Sequence, residues 1–205
     1  MLTRVIAGDD PRALDEAEQL LSKGKLVAFP TDTVYGLGAN FNNLQAIDQL
    51  YVAKRRESTK AIAVLLGNQE QLRLITPDMG SIAQRLAESF WPGPLTLVVV
   101  RHAHLPANLS PNSTVGVRMP NHPVALSLLN RVGPLAVTSA NISEKPNSHT
   151  AQEVLRQLNG RIPLILDGGR TPGGRPSTVV DCTGKEPVIL RAGPISLDRL
   201  LTSLA

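Results

Sequence analysis

Short apolar runs alternate with amphipathic stretches along the whole chain. Leu26-Val27-Ala28-Phe29 is a continuous apolar run of strand length that ends at Pro30, and it reads as a buried strand running out into a loop. The stretches 61–66, 95–100, 115–118, 135–137, 164–167, 178–182 and 188–191 read as further strands. Between them, apolar residues recur at helical spacing. Asp10 and Pro11 open one helix, as N-cap and first helical residue, with Leu14, Ala17, Leu20 and Leu21 on one face and Gly24 as its stop. Asn42 or Asn43 starts a second, with Leu44, Ile47, Leu50 and Tyr51 turned inward, and it runs straight into Lys54-Arg55-Arg56. Ile82, Leu86 and Phe90 mark a third, which stops before Pro92-Gly93-Pro94, and 123–130, 151–158 and 196–204 complete the set. Three strands fall between 164 and 191 with no helix between them, so the succession is not a regular βαβ repeat. The pattern predicts an α/β fold, a mixed sheet flanked by helices. No internal repeat or linker divides the chain, which predicts one domain over 1–205.

Composition narrows the classes. With 42% hydrophobic and 19% charged residues, the chain belongs with globular proteins that bury a core. No stretch approaches the roughly 20 apolar residues of a membrane span, and the first ten residues lack a basic region followed by an apolar one, so a cytoplasmic protein is expected. Cys182 is the single cysteine, which excludes a disulfide or a cysteine metal cluster within one chain and reads as a core thiol. The net charge of +4 favours anionic partners such as nucleotides or RNA. Aromatic residues make up only 3%, against a surface that stacks single-stranded bases.

Candidate chemistry gathers where apolar elements end. After the first strand come Thr31, Asp32, Thr33 and Tyr35 beside Gly36 and Gly38, either a ligand loop or a polar turn satisfying its own backbone. Lys54-Arg55-Arg56-Glu57-Ser58-Thr59-Lys60 sets four cations against one carboxylate, suited to a phosphate chain or to a solvated helix end. In Thr114-Val115-Gly116-Val117-Arg118, strand alternation puts Thr114, Gly116 and Arg118 on one face, which makes Arg118 either an anion clamp or a surface residue. Thr138-Ser139-Ala140-Asn141 passes from a strand into small polar residues. No elbow motif surrounds Ser139 and no base is assignable to it, so ligand hydrogen bonding or a simple turn is expected over covalent catalysis. Residues 167–178 are rich in glycine but lack a P-loop pattern, leaving a mobile lid or a connecting loop. The four histidines show no metal-ligand spacing.

Together these segments resemble the YrdC-like family of threonylcarbamoyl-AMP synthases. The resemblance rests on 30–37 (Pro-Thr-Asp-Thr-Val-Tyr-Gly-Leu), the Lys-x-Arg of Lys54 and Arg56, Trp91-Pro92-Gly93-Pro94-Leu95-Thr96, Val117-Arg118-Met119-Pro120, Ser139-Ala140-Asn141, Ser177-Thr178-Val179-Val180-Asp181 and Leu190-Arg191. It implies an open twisted sheet around a large basic cavity, in a single-domain member of the family. The implied reaction joins L-threonine, bicarbonate and ATP into threonylcarbamoyl-adenylate and pyrophosphate, with Mg²⁺ held mainly through the ATP phosphates. Transferase partners that pass the group to a tRNA adenosine are implied as well, with tRNA itself a possible ligand. By the same resemblance Lys54 and Arg56 are catalytic, and Thr31, Thr33, Tyr35, Arg118 and Ser177 hold threonine. Lys54, Arg56, Lys60, Thr114, Ser139, Asn141, Asn147 and Arg191 hold ATP. A non-catalytic paralogue that binds RNA or a nucleotide is the alternative the family offers.

Overall fold

The computed structural model describes residues 2–205 and is organised around one ten-stranded sheet. The strands are β1 (Arg4–Ala7), β2 (Val27–Phe29), β3 (Gly36–Asn40), β4 (Ala63–Leu65), β5 (Leu95–Val100), β6 (Thr114–Arg118), β7 (Leu135–Ser139), β8 (Leu164–Asp167), β9 (Thr178–Asp181) and β10 (Val188–Arg191). Their order across the sheet is β1-β8-β2-β3-β7-β4-β6-β5-β9-β10. Parallel pairs (β1 with β8, β8 with β2, β4 with β6, β5 with β9) are interleaved with antiparallel ones, so the sheet is mixed and open. The helices are α1 (Pro11–Ser22), α2 (Leu44–Lys54), α3 (Ser81–Phe90), α4 (Pro123–Val132), α5 (Ala151–Leu158) and α6 (Leu197–Leu204). None is long and apolar enough to cross a membrane among the described residues.

The helices start where the side chains cap them. Asp10, Asn43, Thr150 and Ser196 each accept a hydrogen bond from a first-turn N–H of α1, α2, α5 and α6, satisfying a donor the helix leaves open. Strand alternation then sorts side chains onto two faces. On one face, Ala28, Leu37, Val64, Leu97, Val117, Ala136, Ile165 and Val180 form a continuous core with α2, α3, α5 and α6. On the other, Val27, Phe29, Leu65, Leu135, Val137, Leu164 and Leu166 pack against Ala13, Ala17 and Leu21 of α1 and Ala125, Leu128 and Leu129 of α4. Two helices cover only part of a ten-stranded face. The half built from β4, β6, β5 and β9 is left open there, and that opening is where the site forms.

Three features depart from the sequence reading. β3 is a strand where glycines suggest a loop, β1 adds an edge strand, and Leu44 at the start of α2 is 52% exposed rather than inward.

Candidate active site

The uncovered half of the sheet is the floor of a cleft of about 360 Å³. Thr96 and Val98 of β5, Gly116 and Arg118 of β6, Ala63 and Leu65 of β4, and Ser177 and Val179 at β9 line it, one face of each strand. The walls are the loop after β2 (Thr31, Thr33, Val34, Tyr35), the end of β7 (Thr138, Ser139) with Asn147, the segment after α2 (Arg56, Ala61, Ile62) and the last strand (Leu190, Arg191). Gly116 keeps the floor low: a Cβ there would stand 3.0 Å from Thr96 Cγ2.

Among the described residues, three arginines and no carboxylate line this cleft. Arg118 is 5% exposed, and its position is over-determined. Its Nε donates to the Gly93 carbonyl at 2.9 Å, Nη1 to Thr33 Oγ1 at 3.0 Å, and Nη2 to Asp32 Oδ1, with which it forms a buried ion pair. A guanidinium carries five N–H donors, so one on each terminal nitrogen remains for a ligand. Arg191 donates from Nε and Nη2 to the Ser177 carbonyl at 3.0 and 2.8 Å, and from Nη2 to Ser177 Oγ at 3.0 Å. Ser177 Oγ also pairs with Thr96 Oγ1 at 2.8 Å, tying β10, β9 and β5 together at the floor. Arg56 donates to the Ala61 carbonyl at 3.0 Å, and its buried Nε has no partner. Burial lowers the pKa of Arg191, and the Arg118 and Arg56 charges facing it lower it further. Arg56 is lowered by burial as well. Asp32 balances Arg118, which leaves Arg56 and Arg191 as cations without a carboxylate partner in a site that gains from binding an anion.

The hydroxyls of the first motif are turned mostly onto the protein. Thr31 Oγ1 donates to the Val34 carbonyl at 2.7 Å and stands 3.0 Å from Thr33 Oγ1, which faces Arg118. The Tyr35 hydroxyl donates to the Gly169 carbonyl at 2.7 Å and lies 3.3 Å from Asp167 Oδ1, so it tethers the glycine-rich loop; burial, the main cause, raises its pKa. That loop packs over the first motif, because a Cβ on Gly173 would fall 2.4 Å from the Asp32 carbonyl oxygen.

Lys54 is 1% exposed and does not line the cleft. Its ammonium donates to the carbonyls of Ser139 and Asn141 and lies 3.4 Å from Asn141 Oδ1, beneath the turn that follows β7. Burial, then the Arg56 charge, lowers its pKa to about 7. Asn141 closes the same turn, its amide donating to the carbonyls of Ile142 and Lys145 at 2.9 and 2.7 Å. Lys60 also lies outside the cleft lining, held by Glu144 at 3.1 Å and Glu57 at 3.6 Å. Thr114 shares the face of Gly116 and Arg118 but sits at the far end of β6, opposite Val100, away from the cleft. The structure thus gathers Thr31, Thr33, Tyr35, Arg56, Arg118, Ser139, Asn147, Ser177 and Arg191 around one space, and sets Lys54, Lys60, Thr114 and Asn141 behind or beside it. Thr96, Thr138 and Asp32 join the site without having been singled out as site residues; the carboxylate of Asp32, the one charge in its motif, was the available signal. Among the described residues no group of three or more His, Cys, Asp or Glu side chains is placed to hold a metal ion.

Fold and site together define a class: an α/β domain on one open mixed sheet whose half-covered face carries an arginine-lined cleft. The chain belongs to the Sua5/YciO/YrdC family, whose model, described as "Telomere recombination", matches residues 19–193. It is 41% identical over 205 residues to the threonylcarbamoyl-AMP synthase of Bacillus subtilis, covering 97% of this chain and 58% of that protein. It is 34% identical to the threonylcarbamoyl-AMP synthase of Vibrio vulnificus, over 88% of this chain and 98% of that protein. The crystal structure of Pyrococcus abyssi Sua5 complexed with L-threonine superposes with a TM-score of 0.90 at 40% identity, covering 93% of this chain and 57% of that one. The chain thus spans little more than half the length of several relatives that it matches.

Proposed function

We propose that this protein is a threonylcarbamoyl-AMP synthase, forming threonylcarbamoyl-adenylate and pyrophosphate from L-threonine, bicarbonate and ATP. The observation that carries this reading is the cleft itself, with Arg56, Arg118 and Arg191 converging and no carboxylate on its walls. The relatives named for this activity, and the relative whose structure is titled as a complex with L-threonine, support it.

In this reading the two remaining N–H groups of Arg118 hold the threonine carboxylate, with Thr31, Thr33, Tyr35 and Ser177 around the amino acid. Arg56 and Arg191 face the phosphates, and Ser139 and Asn147 lie along the nucleotide. Lys54 and Asn141 support this set from beneath through the turn after β7, and Lys60 reaches the phosphates on leaving its carboxylate partners. The threonine amine, once its ammonium has lost a proton to solvent, bonds to the carbon of CO₂ and gives up a second proton to yield a carbamate; from bicarbonate the same N–C bond forms as a C–O bond breaks and water leaves. A carbamate oxygen then bonds to the α-phosphorus as the bond to the β-phosphate oxygen breaks and pyrophosphate leaves. No covalent enzyme intermediate is needed, so the residues act by positioning and by neutralising charge. The cleft offers cations and hydroxyls, which fit a Mg²⁺ held through ATP phosphate oxygens, where it would neutralise charge on the leaving group. The product is consumed by transferase proteins that modify tRNA in the cytoplasm.

The test is incubation of the protein with ATP, Mg²⁺, bicarbonate and L-threonine, following pyrophosphate and the adenylate by mass, with L-serine as control. Product that depends on threonine and bicarbonate is the expected result. A folded protein that binds ATP and forms none overturns the reading in favour of a nucleotide-binding paralogue.

A further inference from the structure

Behind the cleft wall, two buried polar atoms on neighbouring segments lack a hydrogen-bond partner: Asp32 Oδ2 and His122 Nδ1. Buried polar atoms are nearly always paired, so two orphans close together ask for an explanation. The segments touch already, because the backbone N–H of Asn121 donates to Asp32 Oδ1 at 3.0 Å, one residue before His122. That same Oδ1 takes the Arg118 guanidinium, so Asp32 is engaged on one oxygen only. His122 is the N-cap residue of α4 but makes no side-chain cap, which leaves its ring free for another task. The ring packs against the loop leaving β8: a Cβ on Gly168 would lie 3.0 Å from His122 Cε1.

We propose that His122 and Asp32 are positioning residues for Arg118, with the His122 Nδ1–H holding Asp32 Oδ2 across one bound water, so that Oδ1 stays fixed on the guanidinium. The proposal rests on Arg118 serving as the threonine clamp. A carboxylate held at one oxygen can swing about its Cβ–Cγ bond, and with it the arginine it pairs. Held at both, it fixes the planar fork of Arg118, which lines the cleft. The charge acting on the imidazole is that of Asp32, with Arg118 beyond it. Burial lowers the His122 pKa while the Asp32 charge raises it.

The first arm of the test uses no substrate. NMR titration of the His122 ring in the full-length protein is compared between wild type and Asp32→Asn. The His122 pKa is expected to fall in the variant, and an unchanged value overturns the pairing. The second arm is kinetic: His122→Ala is expected to raise the threonine KM about tenfold and leave the ATP KM in place. His122→Asn, whose amide N–H stands near the position of Nδ1–H, is expected to recover most of that loss. An unmoved threonine KM in His122→Ala, or an Asn variant no better than Ala, overturns the proposal. If His122→Ala does not fold, the titration and the Asn variant decide. If the wild type forms no adenylate, the functional reading falls and the titration alone decides the pairing of His122 with Asp32.

Discussion

Asp32 and Arg118 form an ion pair in which the carboxylate side chain is 11% exposed and the guanidinium 6%. They come from the loop after β2 and the end of β6, so the pair fastens the first motif to the cleft floor. Removing one member of such a pair leaves the other charged, desolvated and without its partner.

Arg118→Ala is therefore expected to act twice. It should raise the threonine KM far more than the ATP KM, and it should lower stability by about 3–5 kcal/mol because Asp32 is stranded. The double variant Asp32→Ala/Arg118→Ala, which removes both charges of the pair, should be distinctly less destabilised than the sum of the two single changes. Urea denaturation of the four proteins checks this, and strict additivity would show that the two groups do not depend on each other.

Arg56 presents the opposite case. It makes one hydrogen bond to a carbonyl, has an unpartnered Nε, and adds to the positive charge around Arg191 and Lys54. Its presence is not explained by what it does for the fold. Arg56→Ala should leave stability within about 1 kcal/mol of wild type, yet reduce adenylate formation by at least about 100-fold. Thermal melts and the product assay on one preparation separate the two effects; a collapsed fold would make Arg56 a structural residue instead.

Lys54 links stability to pH. Its pKa in the fold is about 7, below that of the unfolded chain, because burial and then Arg56 disfavour the cation. Below pH 7 both states carry the proton, and the fold bears the full cost of the buried charge. Above about 7 the folded protein releases the proton first, the unfolded chain binds more protons, and stability rises with pH until the lysine of the unfolded chain titrates. Wild type should thus gain stability between pH 7 and 9 relative to Lys54→Met. The variant itself should lose about 1–3 kcal/mol at pH 9, since the carbonyls of Ser139 and Asn141 lose their donor. Parallel pH slopes in the two proteins would place the proton elsewhere.

How far the sequence carries this picture depends on what each residue type reveals. The runs of β2 and β5 are plain because apolar residues fill both faces or alternate cleanly, and the shared face of Gly116 and Arg118 follows from strand geometry alone. β3 is hidden because it is built on glycines. Gly36 and Gly38 lie under Val137 and Phe29, where a Cβ would come within 2.8 and 2.9 Å of those side chains, so glycine here records close approach and not a turn. β1 is hidden because it is a half-exposed edge. In the site, the convergence of Arg56, Arg118 and Arg191 cannot be read from positions so far apart in the chain. Nor does sequence reveal that Lys54, in the last turn of α2, points toward a turn more than eighty residues on rather than into the cleft. Chain direction at a helix end is local, but the partner is set by the sheet order.

Gly36 makes that reading of β3 testable. Gly36→Ala places a methyl 2.8 Å from Val137 Cγ1 at the buried wall of the cleft, and overpacking of this kind costs about 1–3 kcal/mol. Adding Val137→Ala should recover part of the loss by making room. A Gly36→Ala protein as stable as wild type, by thermal or urea melt, would mean that β3 accepts side chains and needs another account.

The arginine cluster predicts how the protein meets anions before any chemistry occurs. With Arg118 already paired to Asp32, Arg56 and Arg191 are the cations left without a carboxylate partner, and the free protein holds these like charges together at an electrostatic cost that a polyanion removes. Pyrophosphate at about 100 times its dissociation constant should then raise stability by about 2.7 kcal/mol, which for a domain of this size is a rise in Tm of about 5–10 °C. AMP, with less charge, should do less at the same concentration. The effect should shrink at high salt, where ions screen the cleft, and should largely vanish in Arg56→Ala. Arg191→Ala should lose it too, with some added loss of stability, because Ser177 gives up the hydrogen bonds that tie β10 to β9. A pyrophosphate shift that survives both substitutions would mean that the anion binds elsewhere, and the phosphates of ATP would then need a different home from the one these arginines offer.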